Sequence, residues 1–245
     1  MLEILFILLI VLYLIIIIAI IVTLFKMNHS QRIMIKSSDS SNFVILNDVL
    51  KNAVFDIRYY SSNNFVGNRI EGYEEDLCLI TKEAACALKK VSEELLDKGY
   101  ILKIFDAYRP LCAVKYFIKW SKDKNDKRMK KIFYPNLNKS SLFKKGYIAK
   151  KSSHCRGSSI DLTLVDIKTN KELDMGGIFD YFGRTSNINY KRITKKQYKN
   201  RMILQSAMIS NGFKPLNTEW WHFTLDNEPY KNTYFTFPVS RKSIK

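Results

Sequence analysis

Histidine is scarce in this chain, with three among 245 residues, so any site built on imidazole has a short list of ligands. Cysteine is also sparse. Cys78, Cys86, Cys112 and Cys155 show neither a CxxC spacing nor a zinc-finger pattern, which removes the common cysteine-rich metal modules and thioredoxin-like redox motifs. They read as small buried residues or free thiols, with a lean toward a reducing compartment; two disulfides are the other arrangement four cysteines allow. No internal repeat is visible, and strands and helices do not alternate in βαβ order, so solenoids and doubly wound sheets are set aside. Acidic residues are outnumbered 23 to 40, giving a net charge of +17. That surplus suits an anionic lipid or polymer surface, or is simply a solvated lysine-rich surface. Nucleic-acid binding would need a recognition motif as well as charge, and none is present.

One long apolar run is present. Residues 4–25 carry no charge and end at Lys26. As a helix the run would be about 33 Å long, close to the roughly 30 Å of a bilayer core. Glu3 precedes it and no Ala-x-Ala-like cleavage site follows, so the run reads as a retained transmembrane anchor in preference to a cleaved signal peptide. Lys26, Arg32 and Lys36 flank its far end, which by the positive-inside rule indicates a single-pass membrane protein with its body in the cytoplasm. The expected organisation is an anchor over residues 1–27, a polar tether over 28–42 and one folded domain over 43–245.

Within that domain, residues 52–60 look extended. Residues 81–98 repeat Ala85, Leu88, Val91 and Leu95 near helical spacing, with Gly99 as a stop. YILKIFDAYRP (100–110) reads as a strand ending at a proline and LCAVKYFIKW (111–120) as a helix. The lysine-rich stretch that follows reads as an exposed excursion. A strand over 160–165, a turn region through DMGG (174–177) and FDYFG (179–183), and a helix over 196–210 with Met202, Leu204 and Met208 come next. Strand-like TEWWHFTL (218–225) and TYFTFPV (233–239) close the chain. The mixture indicates an α+β fold, a small antiparallel sheet with flanking helices, behind an N-terminal transmembrane helix.

The chemistry centres on KSSHCRGSSIDLTL, residues 151–164. Asp161 sits between Ile160 and Leu162, and a charge in an apolar run needs a partner. His154 and His222 are the histidines outside the tether. Two imidazoles and a carboxylate, with one coordination position open, form an ordinary catalytic zinc set, and the metal would compensate Asp161. Glu219 stands three residues before His222, near enough to serve as general base. The offsets are a difficulty. Separations of seven and three are odd, so ideal strands would send His154 and Asp161, and likewise Glu219 and His222, to opposite faces. Gly157 could turn the chain in the first pair, and a bulge or strand end near Trp220 and Trp221 is required in the second. On spacing alone, structural histidines explain the pattern as well.

Two separated motifs decide the matter. Ser152, His154, Gly157 and Asp161, followed downstream by Glu219, Trp221 and His222, match Ser-x-His-x-x-Gly-x-x-x-Asp and Glu-x-Trp-His. The chain thereby resembles the zinc D-alanyl-D-alanine dipeptidases, the group that includes the vancomycin-resistance dipeptidase. FDAYRP (105–110), the DMG…FD stretch (174–180) and NEPYKNTYFTFPV (227–239) agree, so the resemblance runs from about residue 45 to 239. It implies one Zn2+ per chain held by His154, Asp161 and His222, with Glu219 as catalytic base. It further implies that Arg109 steadies the developing oxyanion, that Asp180 meets the substrate ammonium, and that Ser152 and Tyr59 line the pocket. Cys155 beside His154 is rejected as a ligand, since it would take the open position. Arg109 paired with Asp106 on the surface, and Asp180 as a turn cap, are the plain alternatives.

The expected reaction is hydrolysis of the free dipeptide D-Ala-D-Ala to two D-alanines. The rivals are a D,D-carboxypeptidase trimming peptidoglycan stem peptides and a catalytically silent, membrane-tethered cell-wall-binding protein.

Overall fold

The computed structural model describes residues 6, 10–19 and 34–244. It divides into two compact units, Met1–Ile35 and Lys36–Lys245. In the first, the described residues 10–19 are helical. Among the described residues no helix is long and apolar enough to cross a membrane. The N-terminal transmembrane helix, the membrane as a partner, and a single-pass membrane localisation leaning to the cytoplasm are corrected accordingly. The remainder of the expected anchor, and the tether up to residue 33, lie outside the described residues.

The second unit enters through β1 (Ile35–Ser37), β2 (Phe43–Ile45), the short β3 (Val54–Phe55) and β4 (Leu79–Thr81). It continues with α1 (Lys82–Asp97), β5 (Tyr100–Asp106), α2 (Leu111–Lys122), β6 (Ser159–Asp166) and β7 (Lys171–Glu172). It closes with α3 (Lys195–Ser210), β8 (Phe213–Leu216), β9 (Glu219–Leu225) and β10 (Thr233–Phe235).

The fold is α+β, as expected, but its six-stranded sheet is mixed. The order is β3-β5-β6-β9-β8, with β7 beside β6. The β3–β5 pair is parallel and the others antiparallel. The expectation of a purely antiparallel sheet fails at β3, of which only two residues of the extended-looking 52–60 segment join the sheet.

Helix α1 buries Ala84, Ala85, Leu88, Val91 and Leu95 along one stripe. Each larger aliphatic side chain removed from water in this way contributes about 1.5–3 kcal/mol. The helix stops where the sequence says it should, at Gly99 with φ +84°. Helix α3 begins with a capping box between Thr194 and Gln197, which satisfies two otherwise unpaired N–H groups. It buries Leu204, Ala207 and Met208, while Met202 is only partly buried. Strand β6 is buried along nearly its whole length, with Ile160, Leu162 and Leu164 on one face and Asp161 and Thr163 on the other.

Candidate metal centre

Two local irregularities resolve the odd spacings. Residues Ser153–Arg156 form a 3-10 turn ahead of β6, and Gly157 ends it at φ +84°. A Cβ at Gly157 would lie 2.3 Å from the Phe43 ring, so both conformation and space call for glycine. The Ser152 hydroxyl accepts the His154 N–H at 3.3 Å, and Arg156 forks onto Glu228 through two 2.8 Å hydrogen bonds. These contacts fold His154 back over Asp161. On β9, His222 pairs with Asp161, but Glu219 is drawn forward to pair with Leu216 where Pro215 pairs with Phe223. The bulge spans 220–222, as the sequence required. It brings Glu219 and His222 to one cleft.

His154 Nε2 lies 3.2 Å from Asp161 Oδ2, His222 Nδ1 lies 3.0 Å from Asp161 Oδ1, and the two ring nitrogens are 3.0 Å apart. All three residues are buried. The Ala107 carbonyl can only accept, so His154 Nδ1, 2.6 Å away, donates to it and Nε2 offers a lone pair. His222 Nε2 faces the hydroxyls of Ser153 and Thr224, each at 3.2 Å, leaving Nδ1 to face the triad. Two buried imidazole lone pairs and a carboxylate facing one another need a cation. Tetrahedral zinc, with bonds of about 2.0–2.1 Å, sets its ligand atoms roughly 3.3 Å apart and keeps a fourth position open in catalytic sites. The site therefore fits one Zn2+ per chain. Cys155 is fully buried and is not among the residues lining the cleft.

Electrostatics follow from burial and these contacts. Burial opposes the charge on Asp161, but His154 and His222 outweigh it and hold its carboxyl well below the usual range. Burial lowers His154. Burial works against the charged form of His222 too, but the Asp161 hydrogen bond and charge leave it raised. Burial pushes Glu219 up to about 7, with Asp161 adding to the shift and His222 and Arg109 opposing it.

Arg109 extends from the turn after β5. A bulge at Phe105 rotates Asp106 to pair with Asp161. Arg109 holds Asp106 Oδ2 through Nε at 2.9 Å and Nη2 at 2.8 Å, and Nη2 lies 3.5 Å from Asp161 Oδ2. The pairing with Asp106 weighed from sequence is real, but it is buried inside the site. Tyr73 donates to Asp106 Oδ1 at 2.7 Å, and the guanidinium stacks 4.8 Å over the Tyr59 ring. Asp180 occupies a left-handed conformation, φ +60°. Its Oδ2 accepts the Tyr59 hydroxyl at 2.8 Å. Burial, with Asp161 adding, raises its carboxyl well above the ordinary range.

All eight residues singled out from sequence line one cleft of about 500 Å³. Sequence reasoning missed its far wall. Tyr147, Ile148 and Ala149 belong to the lysine-rich stretch read as an exposed excursion, and they line the same cleft. Tyr147 stacks on Phe182 at 5.3 Å. Lys139, also in that stretch, is buried, and its ammonium donates to the carbonyls of Trp120 and Asp123 at the end of α2. The available signal was the aromatic and aliphatic trio Tyr147, Ile148 and Ala149 among the lysines.

The D-Ala-D-Ala dipeptidase family model matches residues 39–240. The chain is 38% identical over 200 residues to the D-alanyl-D-alanine dipeptidase of Enterococcus faecalis, covering 82% of this chain and 99% of that protein. It is similar at 38% over 197 residues to the Enterococcus faecium protein of that name, covering 80% and 98%. The Streptomyces coelicolor protein of the same name is 34% identical over 201 residues, covering 82% and 100%. This chain belongs to the D-Ala-D-Ala dipeptidase family and is a zinc metallopeptidase of that family.

Proposed function

We propose that the protein hydrolyses the free dipeptide D-alanyl-D-alanine to two molecules of D-alanine, with His154, Asp161 and His222 holding the zinc ion. The observation that carries this reading is the buried Asp180 carboxylate in the same cleft as the triad. Bound zinc supplies Lewis acidity, which acidifies water and polarises a carbonyl.

The chain's own residues perform the remaining work. Asp180, steadied by Tyr59, pairs with the substrate ammonium and fixes the dipeptide by its amino end. Glu219 takes one proton from the attacking water as the carbon–oxygen bond forms. It returns that proton to the leaving nitrogen as the peptide bond breaks, so the carboxylate is regenerated. A carboxyl near 7 in the free site is suited to moving a proton both ways. Arg109, held rigid by Asp106 and by stacking on Tyr59, presents positive charge to the oxyanion. Ser152 sets the turn that presents His154 and lines the cleft beside it.

An acylated dipeptide or a stem pentapeptide has an amide where the free dipeptide has its ammonium, and burying the Asp180 carboxylate unpaired is penalised. The test is D-alanine release from D-Ala-D-Ala, N-acetyl-D-Ala-D-Ala and a stem pentapeptide, measured side by side. Turnover confined to the free dipeptide is expected. Preference for the pentapeptide would make the protein a D,D-carboxypeptidase and overturn the role of Asp180.

A further inference from the structure

A second cleft, of about 400 Å³, lies on the same face of the sheet as the metal triad. Asp161 lines the first cleft and Thr163, two residues further along β6, lines the second. The loop residues Phe179 and Asp180 divide them, Phe179 lining the second and Asp180 the first.

Three buried polar side-chain atoms among its lining residues have no hydrogen-bond partner: Arg58 Nε, Thr163 Oγ1 and Trp220 Nε1. Thr163 is 1% exposed and Trp220 4%. Arg58 Nε is 3.0 Å from Asp56 Oδ2 as an ion pair, without hydrogen-bond alignment. Native interiors rarely leave such groups unsatisfied, and three around one cavity point to an occupant. Indole and guanidinium nitrogens only donate, and the threonine hydroxyl can donate as well. The complement is an acceptor, and Arg58 favours one bearing negative charge. The remaining wall is mixed. Phe105 and Phe179 stack with centroids 4.7 Å apart beside Met175 and Ile178, and the carboxylates Glu172 and Asp174 on the rim are already engaged, by Lys103 at 2.6 Å and by Gln197 at 2.8 Å.

We propose that this second cleft binds a small organic carboxylate, its oxygens on Arg58, Thr163 and Trp220 and its apolar body against Phe105 and Phe179. The binding claim does not depend on the reaction proposed above. Because Phe179 adjoins Asp180 in sequence, an occupant there presses on the segment that carries the ammonium-binding carboxylate.

The chain has three tryptophans, so the indole N–H signals of the zinc-loaded, full-length protein form a spectrum of three lines. Trp220 is assigned with Trp220→Phe. The probes are acetate, propionate and neutral acetamide. A saturable shift of the Trp220 line with both carboxylates and none with acetamide is expected. Thr163→Val and Arg58→Gln should each weaken carboxylate binding by about tenfold, with D-Ala-D-Ala turnover within twofold of wild type for Thr163→Val. No saturable shift, an equal response to acetamide, or a shift unchanged in both variants would overturn the proposal.

Discussion

Burial raises the Glu219 carboxyl to about 7 and Asp180 well above the ordinary carboxylate range, and the consequences differ. Glu219 must be ionised to accept a proton, so kcat/KM falls as pH drops through its value. That fall is the acid limb of the profile. Glu219→Gln should remove that limb and lower kcat by about 10²–10⁴-fold, with zinc content by elemental analysis unchanged. Asp180 binds more protons folded than unfolded between its unfolded value near 3.9 and its raised folded value. Its contribution to stability therefore declines as pH rises through that interval and stays unfavourable above it. Asparagine tolerates a positive φ, so Asp180→Asn is a clean replacement. It should raise KM for the dipeptide by about 10–100-fold and raise Tm at neutral pH, the Tm gain shrinking as pH is lowered. An unchanged KM would separate Asp180 from the substrate.

Much of the fold was legible at the scale of single elements. Helix α1 and its glycine stop, and strands β5, β6 and β9, carry their spacing on their faces, because apolar periodicity and capping are local properties. Helix α3 shows its pattern less plainly, since it buries Asn200 and Arg201 beside Leu204, Ala207 and Met208. The odd intervals 154–161 and 219–222 also showed that two irregularities had to exist. The kind was readable only in part. Gly157 announces a turn, whereas the bulge on β9 depends on how β8 pairs with it, a non-local fact. The same holds for Asp106, whose bulged position on β5 turns an apparent surface pair into part of the site. Gly157 is the sharpest test at this scale. Gly157→Ala forces a Cβ into the Phe43 ring and strains φ +84°, so unfolding by denaturant should show a loss of more than about 1 kcal/mol. Zinc affinity should fall with it, since His154 rides on that turn. A variant with wild-type stability and zinc affinity would contradict the role given to the turn.

Across the whole molecule, charge and hydropathy were the poorest guides. A lysine-rich stretch reads as solvated, yet Lys139 is buried beneath the end of α2, its ammonium 4.1 Å from the Trp120 ring centre. The segment beyond it walls the cleft. Burial of a lysine is tolerable where backbone carbonyls and an aromatic face receive it, and composition does not reveal those partners. The N-terminal run likewise read as a bilayer span from length and hydropathy, whereas no described helix is long and apolar enough to cross one. The three metal-holding residues were legible for the opposite reason. Zinc chemistry needs few residue types, and a chain with three histidines offers few ways to supply them. The account as a whole rests on one zinc ion at His154, Asp161 and His222 enabling hydrolysis of D-Ala-D-Ala. The most direct test titrates zinc into metal-free protein while D-alanine release is measured. Activity should rise linearly from near zero and break at one equivalent per chain. Full activity without metal, a break at another stoichiometry, or no release at any zinc level would contradict it.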